Sequence, residues 1–222
     1  MNDSTEYRTG RHPSPPLSAL AIVHTALFAA SLAAFALLSG GGHIPSPFAA
    51  DSVAYLSQHR DALRWSGFLL FASSVPLGLF AAVAASRLQF LGIRAAGVHI
   101  ALFGGIGASL ALAASGLCGW VLADSGGAAR AMQLAFFAAG GPAFAAAFGL
   151  LAAGISVSAG LTRLIPRWTM WLGLAVAAAG ELSSFSLVFA PAAVLLPLTR
   201  FPGLVWLIAA GILLPAARKE EP

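Results

Sequence analysis

A chain of 222 residues that is 59% hydrophobic and 9% charged lies far from soluble domains, where about a quarter of residues are charged, and it reads as a polytopic membrane protein. A formal net charge of +4 would suggest nucleic acid in a soluble chain; here the basic residues sit between apolar runs, where they set topology, and nucleic acid is excluded as a partner. A single cysteine, Cys118, excludes an intramolecular disulfide and a multi-cysteine metal site.

Residues 1–16 are polar, include Pro13, Pro15 and Pro16, and read as a disordered cytoplasmic N-terminus. The first apolar run is too long for a signal-peptide core and reads as an uncleaved span. Apolar spans are predicted at 17–39, 65–86, 95–122, 131–161, 168–189 and 202–217, with a cytoplasmic tail at 218–222. About 20 helical residues rising about 1.5 Å each cover a bilayer core, so the expected fold is an all-α transmembrane bundle of six spans. The sixth run is short and draws on apolar residues 192–198 at the outer surface.

Basic residues orient this bundle. Arg8, Arg11, Arg87, Arg94, Arg163, Arg167, Arg218 and Lys219 fall on one side, against Arg60, Arg64, Arg130 and Arg200 on the other, which predicts both termini in the cytoplasm. Trp65, Trp120 and Trp206 then lie near the outer interface, and Trp168 and Trp171 near the inner one. The longest loop, 40–64, is external. GGGHIPSP is turn-forming, and ADSVAYLSQHRDALRW reads as a helix capped by Asp51 or Ser52 that runs on into span two. The glycines are no phosphate loop, because no Lys-Ser or Lys-Thr follows and no strand precedes. Asp124 and Arg130 are expected to cap the hairpin between spans three and four.

The most specific pattern is the placing of small residues. Span three carries Gly97, Ala101, Gly104, Ala108, Ala111, Ser115 and Cys118, and span four Ala138, Pro142, Ala145, Gly149, Ala152 and Ser156. Span five carries Gly173, Ala177, Gly180 and Ser184, and span two Ser74, Gly78, Ala81 and Ala85. Steps of three and four keep these on one helix face, where small side chains let backbones approach closely. A compact bundle is expected rather than a wide aqueous pore.

Glu181, near the centre of WTMWLGLAVAAAGELSSFSLVF, is the acidic residue set deepest in an apolar segment. At 100° per residue it flanks the small face of span five and is expected to point into the bundle. It reads either as a proton-, ion- or ligand-binding carboxylate or as a protonated clasp bonded to Ser184 or a backbone carbonyl. His24 and His99 are weaker candidates, about 10 Å and about 6 Å deep in the cytoplasmic half. A bis-histidine haem would need them to face each other, which their helix faces do not suggest. Asp51 and Arg64 are the loop candidates. Pro76 and Gly140-Gly141-Pro142 interrupt spans two and four; such prolines kink structural helices and also build transporter sites. No metal-ligand set and no hydrolase motif is visible.

Asp51 opening a loop helix, Arg64 before span two, and Pro166-Arg167-Trp168 followed by Trp171-Leu172-Gly173 give the chain a further likeness. It resembles a bacterial family of six-helix integral membrane proteins catalogued only as a domain of unknown function, over nearly its whole length. The resemblance implies fold and inner-membrane location and carries over no activity; Glu181 lies outside the pattern. The leading expectation is a non-enzymatic binding, sensing or accessory protein engaging membrane lipid, a small hydrophobic ligand or a partner membrane protein, with no cofactor. The alternatives are a proton-coupled carrier using Glu181 and an intramembrane haem protein.

Overall fold

The computed structural model describes residues 14–217; most of the N-terminal segment and the tail of the sequence reading lie outside the described residues. Within them the chain is helical, with no strand, and six helices are long and apolar enough to cross a membrane. They are α1 (Leu17–Leu38), α3 (Arg60–Phe90), α4 (Ala96–Leu122), a composite of α5 (Ala129–Ala138) and α6 (Phe144–Leu161), α7 (Arg167–Ser183) and α8 (Leu195–Leu213). A short α2 (Ser52–Gln58) lies in the longest loop. Single-turn 3₁₀ pieces at Gly126–Ala128, Ser184–Leu187 and Ala190–Val194 join the spans at the same end as α2, here called the loop end.

The helices form a closed ring in the order α1, α3, α4, α6, α7, α8, with α8 returning to α1. Inside it α6 also touches α3 and α8, and its span is the most enclosed, 61% buried against 22% for the span ending in α8. Small residues explain the closeness of the ring. A Cβ built on Gly116 would lie 2.7 Å from the Gly67 carbonyl oxygen, one on Gly104 2.6 Å from that of Ala147, and one on Gly154 2.6 Å from the Ala101 nitrogen. At those distances no side chain fits between the backbones, so α3 meets α4 and α4 meets α6 main chain to main chain. Phe103, Leu110 and Leu161 remain exposed on the outer faces of the helices.

Five of the six spans fall where the apolar runs place them, and the sixth does not. α8 begins at Leu195 and ends at Leu213, with Pro202 inside it, rather than running 202–217. Arg200, counted among the loop cations above, is therefore within the span. Trp206, placed at an interface by the sequence, is fully buried against Phe148, with ring centroids 6.1 Å apart. Trp65, Trp120, Trp168 and Trp171 do stay exposed near the two ends of the bundle.

At the loop end α2 does not run on into α3. The chain breaks at His59, whose Nδ1 bonds the Tyr55 carbonyl at 2.8 Å. Leu56 of α2 joins Phe35, Leu63 and Leu122 in a second apolar cluster that fastens the loop to the bundle. Asp124 caps no hairpin; it takes two bonds from Arg64, at 2.8 and 3.1 Å. At the opposite end Arg87, buried at the close of α3, donates to the Ser14 hydroxyl and to the carbonyls of Pro15 and Leu214.

Gly154→Leu is expected to abolish the monodisperse peak of the detergent-solubilised protein, since overpacking a fitted contact costs about 1–3 kcal/mol even where neighbours yield. Leu110→Ala, on a face 65% exposed, should leave the peak unchanged; size-exclusion chromatography of both variants is the check.

Candidate functional site

Gly140-Gly141-Pro142 does more than bend a helix. Residues Ala139–Ala143 form one turn of π-helix between α5 and α6, and the Phe144 N–H bonds the carbonyls of Ala139 and Gly141, passing over Gly140. π-Bulges leave backbone acceptors looking for other donors. The Gly140 carbonyl finds Arg200, whose Nη2 donates to it across the gap between α8 and the π-turn. The guanidinium lies between two aromatic rings, with Cζ 5.1 Å from the centroids of both Phe28 on α1 and Phe144 on α6. Each such contact is worth about 0.5–2 kcal/mol, which offsets part of the cost of a cation at this depth. No carboxylate pairs with Arg200 among the described residues.

The aromatic stack continues on both sides. Phe144 stacks on Phe148, which meets Trp206 edge-on, while Phe28 stacks on His24. His24 is fully buried, and its Nδ1 lies 2.8 Å from the Ser73 carbonyl oxygen. A carbonyl can only accept, so Nδ1 carries the proton, and Nε2 has no partner. That carbonyl and the one of Ser74, which accepts from Ser109 Oγ at 2.8 Å, lie in the turn before Pro76, and α3 runs unbroken through the proline.

One turn toward the loop end from Arg200 and Gly140 lies a cavity of about 450 Å³. Loop residues 43–47, Gln133, Phe136 and Phe137 of α5, and Leu196 and Pro197 of α8 line it. Gln133 is 2% exposed, and its side chain is fixed by chemistry. Arg130 can only donate, so the atom it meets at 3.4 Å is Oε1, which also accepts from Ser52 Oγ at 3.1 Å. Arg130 further donates to the Pro47 carbonyl and holds the loop over the cavity. The Gln133 amide nitrogen is left with two N–H donors and no acceptor. A buried donor in that state calls for an acceptor.

The residues singled out from sequence fare differently. Glu181 does not point into the bundle: it is exposed on the outer side of α7, and the Ser184 hydroxyl bonds its backbone carbonyl at 2.6 Å, not its carboxylate. His99 is exposed on α4 while His24 faces α3, so the two histidines are not brought together. Asp51 occupies the N-cap of α2 without a side-chain cap bond, and Arg64 is engaged by Asp124 away from the cavity. Pro142 is the sequence feature that does belong to the site. Arg200, Gln133, Phe28 and Phe144 were not marked by the sequence, although an arginine between Pro197 and Pro202 in an apolar run was the available signal.

Gln133→Leu strips two donors of their acceptor and is expected to cost about 1–3 kcal/mol. Ser52→Ala, which leaves Arg130 on Oε1, should cost less than half as much. Thermal unfolding of the two variants in one detergent gives the comparison.

Set against family models, curated proteins and solved structures, the chain matches none of them.

Proposed function

We propose that this is a multi-pass membrane protein that binds, without chemical conversion, one small amphiphile in the cavity between residues 43–47, α5 and the start of α8. The observation that carries this reading is the Gln133 amide nitrogen, buried and unpartnered in a residue that lines a mostly apolar cavity, whose other polar side chains are His43 and Ser46. Apolar walls with one or two placed polar groups are the ordinary make-up of a small-molecule site. The ligand it suits has an apolar body and at least one acceptor oxygen. The carrier reading built on Glu181 lacks the inward geometry it required, and the haem reading lacks a facing pair of histidines.

Decan-1-ol bearing a terminal diazirine, irradiated with the protein in phosphatidylcholine nanodiscs, is expected to label peptides containing 132–138 and 193–197. Leu196→Trp, which fills the cavity, should cut that labelling several-fold. Labelling spread over lipid-facing residues such as Phe103 and Leu110, and indifferent to Leu196→Trp, would remove the proposal.

The same reading keeps both termini in the cytoplasm of a bacterial inner membrane, with the cavity facing outward. Without Arg200, the loop-end cations are Arg60, Arg64 and Arg130, so the positive-inside bias steepens. A C-terminal green fluorescent protein fusion should be fluorescent and a C-terminal alkaline phosphatase fusion inactive; the reverse pattern overturns the orientation.

A further inference from the structure

The first turns of α3 carry a second recess. Asp61, Arg64, Trp65 and Phe68 follow one another at spacings of three, one and three residues and so share one face of the helix. Trp120 of α4 joins them where the two helices touch: a Cβ on Gly67 would lie 2.8 Å from the Trp120 backbone nitrogen. These five residues line a groove of about 460 Å³ at the loop end, and none of them lines the cavity under residues 43–47. Trp65, Phe68 and Trp120 are each more than half exposed, and the rings of Trp65 and Phe68 meet edge-on at 6.3 Å.

Charge is ordered within the groove. Arg64 Nη2 donates to both oxygens of Asp124, at 2.8 and 3.1 Å. The Asp61 carboxylate meets Arg64 Nη1 at 3.7 Å, beyond hydrogen-bond reach, and its side chain is 81% exposed. Asp61 therefore keeps its oxygens open to a donor, and Nη1 keeps donors open to an anion. A carboxylate and two indole rings in one recess suit a cation, and the arginine beside them suits an anion joined to it. Away from the loop end, Val75 and Leu79 continue the exposed face of α3 from Phe68 in steps of seven and four.

We propose that this groove docks a phospholipid whose headgroup ends in a primary ammonium, as phosphatidylethanolamine does. The ammonium donates to Asp61 beside Trp65 and Trp120, the phosphate accepts from Arg64, and an acyl chain lies along Phe68, Val75 and Leu79. The inference rests on the membrane reading above and is independent of the cavity. Tryptophans near the ends of a bundle are ordinary interfacial anchors. The carboxylate in the same recess is what adds a preference, because it accepts N–H bonds that a quaternary ammonium has none of to give.

The test mixes the detergent-purified protein with equal amounts of dioleoyl phosphatidylethanolamine, phosphatidylcholine and phosphatidylglycerol, and reads the retained lipids by native mass spectrometry. The ethanolamine lipid is expected to be retained several-fold more than either of the others. Asp61→Asn and Trp120→Leu should each remove that excess and leave retained phosphatidylglycerol unchanged, whereas Leu196→Trp, in the other cavity, should leave the excess intact. Equal retention of the ethanolamine and choline lipids by the unaltered protein overturns the proposal. So does an ethanolamine excess that survives in Asp61→Asn, or one that Leu196→Trp abolishes. If Trp120→Leu gives no monodisperse peak, Asp61→Asn, altered at an exposed side chain, decides the matter.

Discussion

The architecture depends on how one half-buried cation within a span is accommodated. Arg200 on α8 reaches Phe28 on α1, Phe144 on α6 and the Gly140 carbonyl in the π-turn, so a single guanidinium touches three separate parts of the bundle. Each contact answers a specific debt of the environment. The rings supply negative faces in place of water, and the carbonyl that the π-turn leaves without its usual helical donor receives one. The irregular backbone is tolerated because it is buried in protein, the circumstance in which non-helical main chain survives at membrane depth. Proline and paired glycines in the fourth span and an arginine in the sixth are thus two sides of one contact, although 60 residues separate Gly140 from Arg200.

Close approach sets the frame around that contact. Where α3 meets α4, and α4 meets α6, glycine removes the side chain that would hold backbones apart. Lipid offers no hydrophobic drive to bring helices together, so packing of this kind supplies the attraction instead. At the cavity, residues 43–47 of the loop after α1 lie across the end of α5, whose other side packs on α4. Arg130 and Ser52 hold this cover through one glutamine side chain. The polar groups at the loop end therefore fix the loop and leave one buried amide donor without a partner.

Much of this was legible in the sequence. Long apolar runs have few other readings, and stripes of small residues in steps of three and four correctly announce a tight bundle. Two rules failed for identifiable reasons. Treating a basic residue as a loop marker sent Arg200 outside and shifted the sixth span, because the rule does not see that aromatic rings from other helices can stand in for water. Helical-wheel reasoning placed Glu181 inward because it flanks the stripe formed by Gly173, Ala177 and Gly180. The buried sector of α7, which also holds Thr169, Val176 and Ser183, lies on the other flank, so the carboxylate faces out. Gln133 carried no signal at all: its role arises from Ser52 and Arg130, and that meeting exists only in the folded chain.

The position of Arg200 in the sixth span has a consequence for biogenesis. Chains are made from the N-terminus, so Phe28, Gly140 and Phe144 are in the membrane before the helix that unites them is synthesised. An arginine near the centre of a span costs about 2.5–3.5 kcal/mol to insert when its helix enters alone. Here the earlier helices already present two rings and a carbonyl to receive it, so insertion of the final span and closure of the ring are one event. The same helix brings Leu214 to Arg87, whose other bonds hold Ser14 and Pro15, and it sets Gly211 against Leu17. A chain stopped short of Leu195 lacks the helix that joins α7 to α1 and closes the ring.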